Sequence, residues 1–131
     1  MLHRLWIVLL LVLLLLPVLL PPTALAQDEP VRIIFMHHST GLGLIEQGEV
    51  RAAFTDLGYE FWDHGYNDEG LVDAEGNWLG VNWEVPDDNT DPDGWERIFY
   101  QPVTDPPANT FSHMLEYDVI IFKSCFPNAD I

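Results

Sequence analysis

Val31 to Met36 is a short apolar run, rich in β-branched residues and broken only by Arg32. A run of that length without polar alternation predicts a strand covered on both faces. Such strands belong to parallel sheets with helices on either side, so this run sets the fold class. It ends in His37, His38, Ser39, Thr40 and Gly41, after which helical spacing begins. Polar, chemically capable side chains at the mouth of a buried strand are the feature that any reading of this chain has to explain.

The rest of the chain fits the same class. Glu49 to Leu57 places Val50, Ala53, Phe54 and Leu57 at helical spacing, with Gly58 as terminator. Tyr59 to Asp63 alternates and predicts a second strand. A long polar stretch follows, His64 to Asp93, whose interleaved Trp78, Leu79, Val81, Trp83 and Val85 predict an ordered, partly packed loop. Asp93 to Gln101 predicts a helix with Trp95, Ile98 and Phe99 on one face. Thr110 to Tyr117 predicts another, with Phe111, Met114 and Leu115 inward, and Asp118 to Lys123 a third strand. The expected fold is therefore α/β, a flavodoxin-like three-layer sandwich with a parallel sheet. That order puts the first strand between the second and third. Ligands of such sheets bind beyond the carboxyl ends of the strands, where the order reverses. The reversal falls between His37-His38-Ser39 and Ser124 to Asn128.

The two ends and the charge bound the function. Residues 1–26 combine Arg4, an apolar run from Leu5 to Leu16, Pro17 and Ala24-Leu25-Ala26. This is the pattern of a cleaved secretory signal peptide, predicting a secreted or extracytoplasmic domain over 27–131 with no stable membrane span after cleavage. Pro17 and Pro21-Pro22 break the run before the roughly 20 residues of a spanning helix. The net charge of −16 becomes −17 without Arg4, and the remaining Arg32, Arg51, Arg97 and Lys123 are scattered. Clustered cations for phosphate are missing, which excludes nucleic acid as a partner. Cys125 is the only cysteine, so no internal disulfide is expected. The chain reaches Ile131 eight residues past the last strand signal, which reads as truncation after the third strand.

Ser39 has two readings. Where a strand turns into a helix, a hydroxyl stands exposed, and backbone N–H groups at the helix start can hold an oxyanion. The same position is also where Ser and Thr cap helices. Gly41 and Gly43 would let a substrate approach the backbone closely. His37 and His38 point to opposite sides if the strand continues through them. Asp63 and His64 are the only obvious further ligands for a zinc site, and neither a metal nor a cofactor is expected. Asn128 and Ser124 end the third strand opposite Ser39, and the Asn128 amide could donate to an oxyanion. Asp87 to Gly94 spaces oxygen side chains as calcium loops do. Its twelfth position from Asn89, however, is Tyr100 where a glutamate is needed, so it reads as an acidic turn with Asp93 near a helix start.

FMHHSTG after a first strand, with KSCFPNAD after a third, resembles the SGNH (GDSL-type) hydrolases, which are flavodoxin-like esterases and deacetylases. The resemblance covers topology from Val31 to Ile131 and one serine. The usual Gly-Asp-Ser wording is absent, the third block lacks its glycine, and the Asp-x-x-His block of the general base is not in this sequence. What the resemblance implies is an exported hydrolase of ester or acetyl groups, on a small-molecule or glycan ester. Ser39 would be the nucleophile, Asn128 the oxyanion donor and His38 a pocket residue, with Gly41, Asn67 and Ser124 against the substrate. The alternative is a non-catalytic carbohydrate-binding or interaction domain of the same fold, in which Trp62, Trp78, Trp83 and Trp95 stack on sugar rings.

Overall fold

The computed structural model describes residues 29–66, 69–86 and 92–124. The signal-like segment, Asn67, the calcium-like residues 87–91, Cys125 and Asn128 lie outside the described residues. The described chain is an α/β fold with a four-stranded, mostly parallel sheet flanked by helices. In chain order the elements are β1 (Arg32–His37), α1 (Thr40–Gln47), α2 (Val50–Asp56), β2 (Glu60–Gly65), β3 (Gly70–Val72), α3 (Pro92–Phe99), α4 (Thr110–Met114) and β4 (Val119–Phe122).

The sheet order is β3-β2-β1-β4. β1 runs parallel to β2, with Arg32 opposite Glu60 and His37 opposite Gly65. It also runs parallel to β4, with Ile33 opposite Val119 and Met36 opposite Phe122. The first strand thus lies between the second and the last, where the expected order put it. β3 is a departure from expectation. It pairs antiparallel with β2 inside the stretch read as loop, and Leu71 N–H donates to the Val81 carbonyl at 2.7 Å to fold the following segment back on it.

Strand alternation divides the core in two. Ile33, Phe35 and Phe61 pack with Ile45 of α1 on one face, against Val50 and Phe54 of α2. Ile34 and Met36 face the other way, into Tyr66, Leu71, Trp83, Val85, Trp95, Ile98, Met114 and Tyr117. Ile34, Met36, Ile98 and Met114 are completely buried, each contributing roughly 1.5–3 kcal/mol of transfer free energy. Leu115, expected inward, is 45% exposed, because α4 ends one residue earlier. At the amino end of the sheet, the Arg32 guanidinium lies over Tyr117 and Trp62, at 4.6 and 5.2 Å from their ring centroids. The amino end is closed by these contacts, and the carboxyl end is where polar groups collect.

Candidate functional site

Three strands deliver their carboxyl ends to one edge. Lys123 N–H donates to the Met36 carbonyl at 3.0 Å, which sets Ser124 beside the residues that follow β1. Tyr66 joins all three. Its N–H donates to the His37 carbonyl at 3.0 Å, its hydroxyl to the Lys123 carbonyl at 3.1 Å, and its ring stacks on His38 with centroids 5.5 Å apart. Trp95 of α3 meets Tyr66 edge-on at 5.7 Å and Phe122 at 4.9 Å, so α3 covers this junction. His38, Ser39, Gly41 and Ser124 therefore share one edge of the sheet. Asn67 and Asn128 lie outside the described residues.

Ser39 has the most unusual backbone among the described residues. It precedes α1 at φ 52°, ψ −109°, and its side chain makes no capping hydrogen bond. A helix cap has extended backbone and gives its oxygen to the first turn. Asn109 does so for α4, accepting from Ser112 N–H at 2.9 Å. Ser39 does neither, which sets aside the capping reading. A non-glycine residue in that region costs roughly 1–3 kcal/mol and persists only when its surroundings impose it. The first turn of α1 takes Gly41 N–H to the His38 carbonyl and Leu42 N–H to the Ser39 carbonyl. Thr40 N–H has no partner among the described residues.

The constraint on Ser39 comes from below. Gly41 rests directly on the His37 side chain, and a Cβ at Gly41 would collide with His37 Cβ. His37 is 1% exposed, on the α1 side of the sheet, and its Nε2 lies 2.9 Å from Asp63 Oδ2. Asp63, itself buried, is paired through Oδ1 with the Arg51 guanidinium. Arg51 also donates to the Phe61 carbonyl at 2.7 Å and the Asp73 carbonyl at 2.6 Å. The carboxylate accepts, so His37 Nε2 donates. His37 Nδ1 is buried beneath the first turn of α1, without a partner among the described residues.

This His37–Asp63–Arg51 chain was not found from sequence, where Asp63 stood only as a possible metal ligand. An acid on the inward face of a buried strand, two residues after Phe61, is nonetheless a signal, since a buried carboxylate requires a partner. The described residues contain no group of three or more acidic, histidine or cysteine side chains able to hold a metal. His64, the other zinc candidate, is on the opposite face, completely buried. Its Nε2 accepts from Trp83 N–H at 2.9 Å, and its ring stacks on Trp83 at 4.7 Å. Burial first, then the neighbouring His37, lower its pKa from 6.5 to about 4, so it is neutral at pH 7. Of the four tryptophans considered for sugar stacking, Trp83 and Trp95 are buried and Trp62 packs against the core. Trp78 remains open, at 67% exposure.

No family model matches the chain, and neither a curated protein nor a solved structure matches it significantly. The class is thus set by the architecture, an α/β fold with a mostly parallel sheet and polar groups gathered at its carboxyl edge. No helix among the described residues is long and apolar enough to cross a membrane.

Proposed function

We propose that this chain carries the nucleophilic turn of an exported serine hydrolase, in an SGNH-like, flavodoxin-type three-layer domain that cleaves ester or acetyl groups, including those on glycans. One observation carries the reading: Ser39 holds a positive φ at a strand-to-helix turn while its hydroxyl leaves the helix uncapped. A strained turn of this kind presents a serine hydroxyl clear of the backbone, with the next residue's N–H beside it. Here that N–H belongs to Thr40.

In this mechanism Ser39 Oγ attacks the acyl carbon and its proton passes to a histidine base. The carbonyl electron pair moves onto oxygen, where Thr40 N–H and the Asn128 amide hold it. Collapse expels the alcohol, which takes the proton, and water then releases the acyl group by the same steps. His37 is committed to Asp63, and the Asp-x-x-His block that supplies the base in the family the sequence resembles is not in this sequence. His38 and Ser124 line the pocket, while Gly41 makes room for His37 beneath the turn. Residues 1–26 direct export, and the acidic balance keeps nucleic acid from being a partner.

The test is labelling of the purified protein by a serine-directed fluorophosphonate. Labelling of the folded wild type that disappears in Ser39→Ala is the expected result. A folded wild type that takes no label refutes the proposal.

A further inference from the structure

A second site lies away from Ser39. Between the 82–84 segment and the start of α4 is a cleft of about 230 Å³, smaller than drug-sized pockets and sized for one small ring. Most of its polar groups are already used. The Thr110 hydroxyl donates to the Glu84 carbonyl, and Asn109 accepts from Ser112 N–H while donating to the Pro102 carbonyl at 2.7 Å. Two of the groups not used matter most for a ligand. The Gln101 amide oxygen accepts from Phe111 N–H at 2.9 Å, which fixes the amide and leaves its NH2 without a partner among the described residues. The exposed Glu84 carboxylate has no partner among them either.

The remaining wall is a flat ring held in place. His113 lies parallel to Trp83, with centroids 5.2 Å apart and planes 2° from parallel. Trp83 in turn lies on His64. The three rings form one stack from the core to the cleft, and its outer ring cannot turn without losing the contact.

We propose that this cleft binds a single neutral sugar ring. A hydroxyl both donates and accepts, so neighbouring hydroxyls can satisfy the Gln101 NH2 and the Glu84 carboxylate together. The C–H face of a pyranose fits a flat aromatic wall. An anionic ligand would meet Glu84 in a chain of net charge −16, and an ammonium would oppose its protons to those of Gln101. Neither charge is accommodated as well as a neutral polyol. The site stands apart from Ser39 and does not depend on the hydrolase reading.

The experiment is an NMR titration of the whole chain, following the His113 ring and Trp83 indole signals with glucose, galactose and N-acetylglucosamine in turn. At least one sugar gives a saturable shift, with Kd on the order of 1–10 mM. Glu84→Ala weakens it about tenfold, the loss of one charged hydrogen bond, while Trp78→Ala on the exposed hairpin leaves it unchanged. Absence of a saturable shift with all three sugars, or a shift indifferent to Glu84→Ala, overturns the proposal. Ser39→Ala binds as the wild type does, so failure of serine labelling and failure of sugar binding are read separately.

Discussion

Acidifying the solution from pH 7 to pH 4 tests the packing around His64. The imidazole is completely buried, its Nε2 occupied by Trp83 N–H, and burial lowers its pKa from 6.5 to about 4. In the unfolded chain it takes a proton below pH 6.5, and in the folded chain only near pH 4. Across that window the unfolded state binds more protons, so stability rises with pH and falls as the solution is acidified. A shift of about 2.5 units at 1.36 kcal/mol each gives a loss of about 3 kcal/mol. That is a large share of the roughly 5–15 kcal/mol of a typical domain. Two other perturbed groups titrate outside the window. Asp73 is held below its usual 3.8 by the backbone N–H of Asn77, and burial raises Tyr117 to about 12. Urea unfolding followed by tryptophan emission at several pH values between 7 and 4 measures the slope. His64→Gln keeps an acceptor for Trp83 N–H but cannot titrate, and it should flatten the curve over the window. A wild type whose stability is level from pH 6.5 to 4.5, or a His64→Gln curve of equal slope, refutes the reasoning.

Gly41→Ala forces a Cβ into His37 and should destabilise by about 1–3 kcal/mol while abolishing fluorophosphonate labelling of Ser39. Gly43→Ala, whose Cβ would meet only the end of Gln47 at 3.8 Å, should do neither in a melting and labelling comparison. β4 lies at the sheet edge with Val119, Ile121 and Phe122 at 40%, 37% and 46% exposure, so the chain should self-associate with rising concentration. Ile121→Lys should suppress this in analytical ultracentrifugation, because a charge on an edge strand blocks pairing.

The parts of the fold legible in the sequence are those with a repeating signal or a long apolar run. β1 announces itself through consecutive β-branched residues. α2 does so through Val50 and Phe54, and α3 through Trp95 and Ile98, all packed in the cores. Strand–helix alternation gives the α/β class and parallel pairing, while the place of β1 between β2 and β4 was expected only from a flavodoxin-like order. β3 has three residues, too few for any period, and is held by distant backbone bonds such as Leu79 N–H to the Leu71 carbonyl. At the candidate site, the position of Ser39 was readable but its backbone was not, since φ depends on what lies beneath the turn. Arg51 is 12 residues from Asp63, and His37 is 26 residues from it. No local pattern links residues so far apart, although an inward-facing acid already demanded a partner.

The His37–Asp63–Arg51 chain also lets stability and positioning be separated. Arg51→Met alone strands the Asp63 carboxylate in the core, and breaking one side of a buried pair costs roughly 3–5 kcal/mol. Replacing all three groups by apolar ones, His37→Leu, Asp63→Leu and Arg51→Met, removes every buried charge at once, and such exchanges are often neutral or stabilising. If the chain served stability, the triple variant would unfold at least as readily as Arg51→Met. If it serves to hold Ser39, the triple variant recovers the lost stability. The released turn then relaxes toward an ordinary cap, since about 1–3 kcal/mol of strain favours that relaxation once the ring beneath no longer opposes it. Chemical denaturation beside fluorophosphonate labelling distinguishes the two. Recovered stability with lost labelling is the expected pair of results. A triple variant that is stable and still labels Ser39 at the wild-type rate would show that the turn is held by something else.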